Sequence, residues 1–142
     1  MKTINTAAVL LAAAIGLGTS GLNAQTKLVA NIPFDFSVKG KVMPAGQYYV
    51  TRDLKTGDML ELSNAKEGGT ALLVSYKAQV TEPGPKSKLV FNHYGDRYFF
   101  SELWTTDGAH RRVTPSKLEE EVKASAGKIQ SPPVTIDIAG TR

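Results

Sequence analysis

The sequence between Lys88 and Trp104 reads KLVFNHYGDRYFFSELW, in which Gly95-Asp96 separates two runs rich in apolar and aromatic residues. Gly and Asp both tolerate the positive φ angle that a two-residue hairpin turn requires. The stretch also holds the only Trp of the chain. We therefore interpret it as a β-hairpin and expect it to be the centre of the core.

A turn at Gly95-Asp96 sets the cross-strand pairs of this hairpin, although a longer loop that starts at Tyr94 is an alternative. The predicted pairs are Tyr94 with Arg97, His93 with Tyr98, and Phe91 with Phe100. Simple alternation assigns one face to Leu89, Phe91, His93, Tyr98, Phe100 and Trp104, and the other to Val90, Tyr94, Phe99 and Leu103. Neither face is polar, so both are predicted to be partly covered.

Several further segments show the pattern of strands, with turn residues such as Gly and Pro between them. They are 27–38, 47–52, 59–63, 71–80, 111–113 and 134–138. Within them, Leu72-Leu73-Val74 indicates a strand that is buried on both faces. Short strands at regular spacing predict a mainly β fold, a small antiparallel β-sandwich or barrel.

One α-helix is predicted near the C-terminus. It starts at Thr114, a cap followed by Pro115 in the first turn, or at Ser116, which forms a capping box with Glu119. We expect this helix to dock on the sheet through Leu118 and Val122. The acidic run at 119–121 is interpreted as a solvated face, which the helix dipole favours near the N-terminus.

The N-terminus is interpreted as a signal peptide. Lys2 provides a positive start, residues 7–18 form an apolar run, and Ala24 is a small residue at the cleavage position. The alternative is an uncleaved anchor, but the run is shorter than the ~20 residues that span a bilayer. The prediction is a signal peptide at 1–24 and a single β-rich domain at 25–142, with no transmembrane segment in the mature chain. We expect the product to be periplasmic or extracellular.

Composition excludes some classes of function. The chain has no Cys, so thiol catalysis and thiolate metal sites are impossible. Its formal net charge of +4 is not concentrated in a basic block, and we therefore predict no binding to nucleic acid. No motif of a serine hydrolase or a phosphate-binding loop occurs.

The candidate site residues are aromatic. Side chains of this kind stack on sugars or line apolar pockets, although core packing is the simpler interpretation. The ligand-binding candidates are Tyr49, His93, Tyr94, Tyr98 and Trp104. We predict no catalytic residue, no metal and no cofactor.

Three pieces of the sequence carry a resemblance: Asn31-Ile32-Pro33-Phe34-Asp35-Phe36, Pro44-Ala45-Gly46-Gln47-Tyr48 and Tyr94-Gly95-Asp96-Arg97-Tyr98-Phe99. Together they resemble a group of small, uncharacterised, signal-peptide-bearing proteins of soil bacteria. The resemblance covers most of the mature chain and implies export and a small β domain. It implies no activity and no functional residues.

The functional expectation is an exported, non-catalytic binding or structural module of the cell envelope. Its partner would be an envelope protein, a polymer or a small apolar ligand. The first alternative is a small β-barrel that carries an apolar ligand, which requires a closed cavity of ~300 Å³ or more. The second is a hydrolase that uses His93 with a carboxylate, which requires His93 or His110 to meet carboxylates in a cleft.

Overall fold

The computed structural model describes residues 27–53, 55, 57–78, 82–127 and 131–141. The predicted signal peptide at 1–24 lies outside these residues. The described part of the chain contains no helix that is both long and apolar enough to cross a membrane.

The described residues form ten strands and one helix, which confirms the prediction of a mainly β fold with one helix near the C-terminus. The elements are β1 (Lys27–Ile32), β2 (Phe36–Val38), β3 (Lys41–Met43), β4 (Gly46–Arg52), β5 (Met59–Asn64), β6 (Thr70–Lys77), β7 (Ser87–Tyr94), β8 (Arg97–Trp104), β9 (His110–Val113), α1 (Lys117–Ala126) and β10 (Ser131–Thr141).

Eight of the strands close into a barrel. Hydrogen bonds join them in the order β8-β7-β10-β1-β4-β5-β6-β9, and β9 pairs back to β8. Every pairing in this ring is antiparallel. We call the end with the β4–β5, β6–β7 and β8–β9 connections the upper end. The β5–β6 and β7–β8 turns and α1 lie at the lower end.

Side chains fill the interior of the barrel. Inward and outward residues alternate along each strand, and an eight-stranded barrel is just wide enough for its inward side chains to meet. The buried apolar residues of the ring strands that belong to this core are Leu28, Ala30, Ile32, Tyr48, Val50, Leu60, Leu62, Ala71, Leu73, Leu89, Phe91, Phe100, Leu103 and Ile138.

The lower end is covered by the hairpin of β2 and β3. Its turn uses Lys39 and Gly40 at φ +52° and +78°, as a tight hairpin requires. The ring of Phe36 lies 5.1 Å from that of Tyr48 and 5.3 Å from that of Phe91. The segment 27–38 is therefore not one half-buried strand: the first strand stops before Pro33, and the residues after it fold back over the barrel.

A buried guanidinium lies at the upper end. Arg111 faces the interior together with Leu103, its cross-strand partner. It donates to the hydroxyl and carbonyl oxygens of Ser75 at 3.1 and 2.9 Å, and to Oδ1 of Asp58 at 2.7 Å. These hydrogen bonds stabilise the buried positive charge of Arg111 at the upper end, beyond the apolar residues of the core.

Helix α1 begins as predicted but docks differently. The Ser116 hydroxyl accepts from the Glu119 amide at 3.2 Å, which confirms the cap. The Glu119 side chain, however, is buried and not part of a solvated face. Its Oε1 accepts from Nδ2 of Asn92 at 2.8 Å and from the hydroxyl of Tyr94 at 3.5 Å. The outer face of β7 supplies these polar partners, and this is why an acidic residue contacts the sheet, whereas Leu118 and Val122 are only partly buried.

Strand β6 is not buried on both faces as predicted. Leu73 is buried, but Leu72 and Val74 are 54% and 60% exposed. No described element covers the outer face of the wall at this strand, so its apolar run alternates between core and surface.

Candidate functional site: the Trp104 groove

A β-bulge in the hairpin of β7 and β8 places Trp104 on the outer surface. The predicted pairs from Tyr94–Arg97 to Phe91–Phe100 are confirmed, but the next pair is Val90 with Glu102. Ser101 is thus an extra residue in β8, and every side chain after it changes face.

The bulge corrects the predicted faces. Leu103, assigned to the face of Val90, is buried in the interior beside Leu89. Trp104, assigned to the core face, pairs with Lys88 and His110 on the outside. Trp104 is half-buried there.

Two neighbours that also contact each other, His110 and Glu102, hold the indole ring of Trp104. The His110 ring stacks on it with a centroid distance of 3.6 Å. The indole Nε1 donates to Oε2 of Glu102 at 2.9 Å. Nε2 of His110 lies 2.9 Å from the same carboxylate oxygen. These contacts fix the orientation of the ring before any ligand arrives.

The Glu102 carboxylate is the centre of this arrangement. Arg112 contacts its other oxygen, Oε1, through Nε at 2.9 Å and through a terminal nitrogen at 2.8 Å. Burial alone would raise the pKa of Glu102, but the hydrogen bonds from Arg112, His110 and Trp104 outweigh it and lower the pKa. Glu102 is therefore a carboxylate at neutral pH, with donors on both oxygens. Because both of its oxygens already accept hydrogen bonds from the protein, Glu102 is better suited to positioning its neighbours than to transferring a proton.

A surface groove of about 340 Å³ lies beside the indole. Its lining residues are Glu82, Gly84, Pro85, Lys86, Lys88, Trp104, Thr105, Gly108 and Asp137. The Lys88 ammonium is 5.0 Å from the centroid of the indole ring, and Lys86 lies 3.5 Å from Asp137. The groove thus offers an aromatic surface together with two cations and two carboxylates.

The other predicted ligand-binding residues do not join Trp104. His93 and Tyr98 stack at 4.2 Å, and Phe34 stacks on Tyr98 at 3.9 Å. Tyr49 lies on the outer wall of β4 with the Lys27 ammonium 3.8 Å above its ring.

Tyr94 is buried and bonded to Glu119. The five aromatic candidates are thus spread over the barrel and form no single site.

The expected partner of a histidine is also corrected. Simple alternation from Tyr98 and Phe100 would put Glu102 on the same hairpin face as His93, whereas the bulge puts the two residues on opposite faces. It is His110, the first residue of strand β9, that meets Glu102. Among the described residues, no group of three or more His, Asp and Glu side chains is placed to hold a metal ion.

A smaller cavity lies at the upper end of the barrel. Its volume is about 160 Å³, and its apolar wall is made by Leu28, Val50 and Leu103. Arg52 and Asp107, 3.4 Å apart, lie at its polar rim. Ligand pockets usually measure at least ~300 Å³, so this cavity has little room for a carried apolar ligand.

Comparison with protein families, with curated proteins and with solved structures finds no match. The geometry of the chain is therefore the basis for assigning its function. Sequence reasoning named Trp104 but missed Glu102, Arg112 and Lys88 as its supports, because their proximity depends on the bulge and on the pairing of β8 with β9. Neither feature has a signature in the local sequence.

Proposed function

We propose that the protein is an exported, non-catalytic binding module of the cell envelope that holds a polymer segment in the Trp104 groove. The observation that carries this proposal is the indole of Trp104, which Glu102 and His110 hold in one orientation beside an open groove. Rigid aromatic side chains with a polar edge are preferred contact residues, since little conformational entropy is lost when they bind.

The groove favours a neutral glycan as the polymer. The face of an indole ring is electron-rich and attracts the slightly positive C–H groups of a sugar ring. Lys86, Lys88, Glu82 and Asp137 supply donors and acceptors for sugar hydroxyl groups. Two positive and two negative residues balance, so the lining gives no net preference for a charged polymer.

Because side chains fill the interior of the barrel, binding of a ligand at the surface is better supported than transport of an apolar ligand inside it. The large interior residues Tyr48, Phe91 and Leu89 are almost wholly inaccessible. The carboxylate of Glu102, with all its hydrogen-bond partners on the protein, likewise favours a module over a hydrolase.

Fluorescence titration tests the proposal, because Trp104 is the only Trp in the chain and reports directly on the groove. We expect soluble neutral glycan oligomers to change the intensity or wavelength of emission in a saturable way. Asp137→Ala should weaken binding about 10-fold, as expected for one lost hydrogen bond to a ligand.

Tyr49→Ala is the matched control, since it removes an aromatic residue from another part of the outer wall. The Tyr49→Ala variant should bind the neutral glycan oligomers with the same affinity as the parent protein. Calorimetry with Trp104→Ala, after circular dichroism has shown that it folds, should detect no binding. Equal affinity of the Trp104→Ala and parent proteins for the glycan would show that the Trp104 groove is not the binding site.

A further inference from the structure

The outer face of strand β6 carries an apolar stripe. Leu72, Val74 and Tyr76 are 54%, 60% and 49% exposed, and they occupy successive outward positions. An antiparallel wall facing water normally places polar residues at such positions. A contiguous apolar stripe on a soluble surface indicates a contact site.

The topology restricts what can cover this stripe. Strand β6 is hydrogen-bonded to β5 on one side and to β9 on the other. Residues 70–74 pair with β5 and residues 75–77 pair with β9, so each part of the strand already has a hydrogen-bonded neighbour. Because Leu72, Val74 and Tyr76 point outward from the wall, a partner that covers them packs against its face, as one sheet packs on another.

The charges beside the stripe are arranged for self-association. Glu61 is the cross-strand neighbour of Leu72 at one end, and Arg112 is the neighbour of Tyr76 at the other. A two-fold axis at Val74 would bring the Glu61 end of one copy onto the Arg112 end of its partner. This is the self-complementary pattern that an isologous dimer requires.

We propose that the occupant of this face is a second copy of the chain, in a symmetric dimer centred on Val74. The two apolar stripes cover each other, and Glu61 of each protomer meets Arg112 of the other. Arg112 already contacts Glu102 through two of its nitrogens, and its remaining N–H groups are available to a second carboxylate. The proposal does not depend on the ligand of the Trp104 groove.

Analytical ultracentrifugation from about 1 μM to about 1 mM tests the dimer. The parent protein should change from monomer to dimer across this range. Val74→Lys should remain monomeric throughout. Val42→Lys is the matched control, because Val42 is 61% exposed but lies on β3, which does not pair with β5, β6 or β9. A monomeric parent protein, or a dimer that survives in Val74→Lys, would overturn the proposal.

Mixing two charge variants tests the symmetry. Glu61→Lys and Arg112→Glu should each dimerise at least 10-fold more weakly alone, because like charges then meet at both ends. An equimolar mixture should form heterodimers with near-parental affinity, since opposite charges meet again at both ends. If the mixture associates no better than either variant, the two-fold arrangement is wrong. Should Arg112→Glu fail to fold, the Val74→Lys comparison still decides the proposal.

Discussion

Two glutamates on this barrel illustrate how tertiary contacts set the state of a single residue. Hydrogen bonds from Arg112, His110 and Trp104 overcome the effect of burial at Glu102 and lower its pKa. Burial dominates at Glu119 and raises its pKa, although Asn92 and Tyr94 donate hydrogen bonds that act in the opposite direction. The folded state is therefore stabilised by the ionised form of Glu102 but by the protonated form of Glu119.

Glu119→Gln tests this reading through the pH dependence of stability. A carboxyl group whose pKa is raised in the folded state contributes stability that is present below its unfolded pKa of about 4.3 and is lost as the pH rises through the folded pKa. The parent protein should therefore lose stability relative to Glu119→Gln between pH 4, which is below that unfolded pKa, and pH 7, which is above it. At pH 7 the variant should be as stable as the parent or more stable, because Gln can still accept the hydrogen bond of Asn92.

Urea titrations at both pH values measure the effect. Glu121→Gln, on the exposed side of the same helix, is the control and should follow the parent. Parallel profiles for the parent and Glu119→Gln would show that this carboxyl group does not couple docking of the helix to pH.

At the level of elements, the hairpin of β7 and β8 links the core to the candidate site. Before the bulge at Ser101 its residues fill the interior, and after it Trp104 is turned to the surface while Leu103 stays inside. One inserted residue thus allows a single strand to supply both the filling of the barrel and the aromatic residue of the groove.

Phe100→Ala tests the contribution of the hairpin to stability. The ring of Phe100 is buried and lies 5.7 Å from that of Phe91. Its removal leaves a cavity and should cost about 3 to 5 kcal/mol in the free energy of unfolding. Lys86→Ala, in the adjoining loop, should cost less than about 1 kcal/mol, because its ion pair with Asp137 is exposed. Equal denaturant midpoints for the two variants would contradict the assignment of the core.

For the whole molecule, closure of the barrel decides where partners can bind. Each of the eight ring strands is hydrogen-bonded to a neighbour on both sides along part of its length, so recognition uses mainly side chains on the walls and the ends. The Trp104 groove and the β6 face are both features of the outer wall. A structural role in the envelope and a binding role would use the same surfaces, and the binding and association experiments above distinguish them.

Export is the remaining prediction at this scale. The charged start, the apolar run and Ala24 predict that residues 1–24 are removed during secretion. The mass of protein recovered from the periplasm or the medium should match a chain that begins at Gln25. Recovery of exported protein that retains residues 1–24 would show that this segment is an anchor and not a signal peptide.

Local sequence was sufficient for much of the fold. Alternation and turn residues predicted most of the strands, and the capping box predicted the start of α1, because these signals act over a few residues. The hairpin turn is one example: Gly95 takes a φ angle of +62°, in the region that favours glycine, and the adjacent pairs follow from it.

The tertiary structure alone decided how those elements close and which side chains meet. The pairing of β8 with β9 brings Glu102 beside Arg112, and the bulge at Ser101 sends Trp104 outward. Burial of Glu119 and exposure of Leu72 likewise depend on neighbours that are distant in sequence. Period-two patterning shows that a strand has two faces, but which of them is covered is determined by the elements that pack against it.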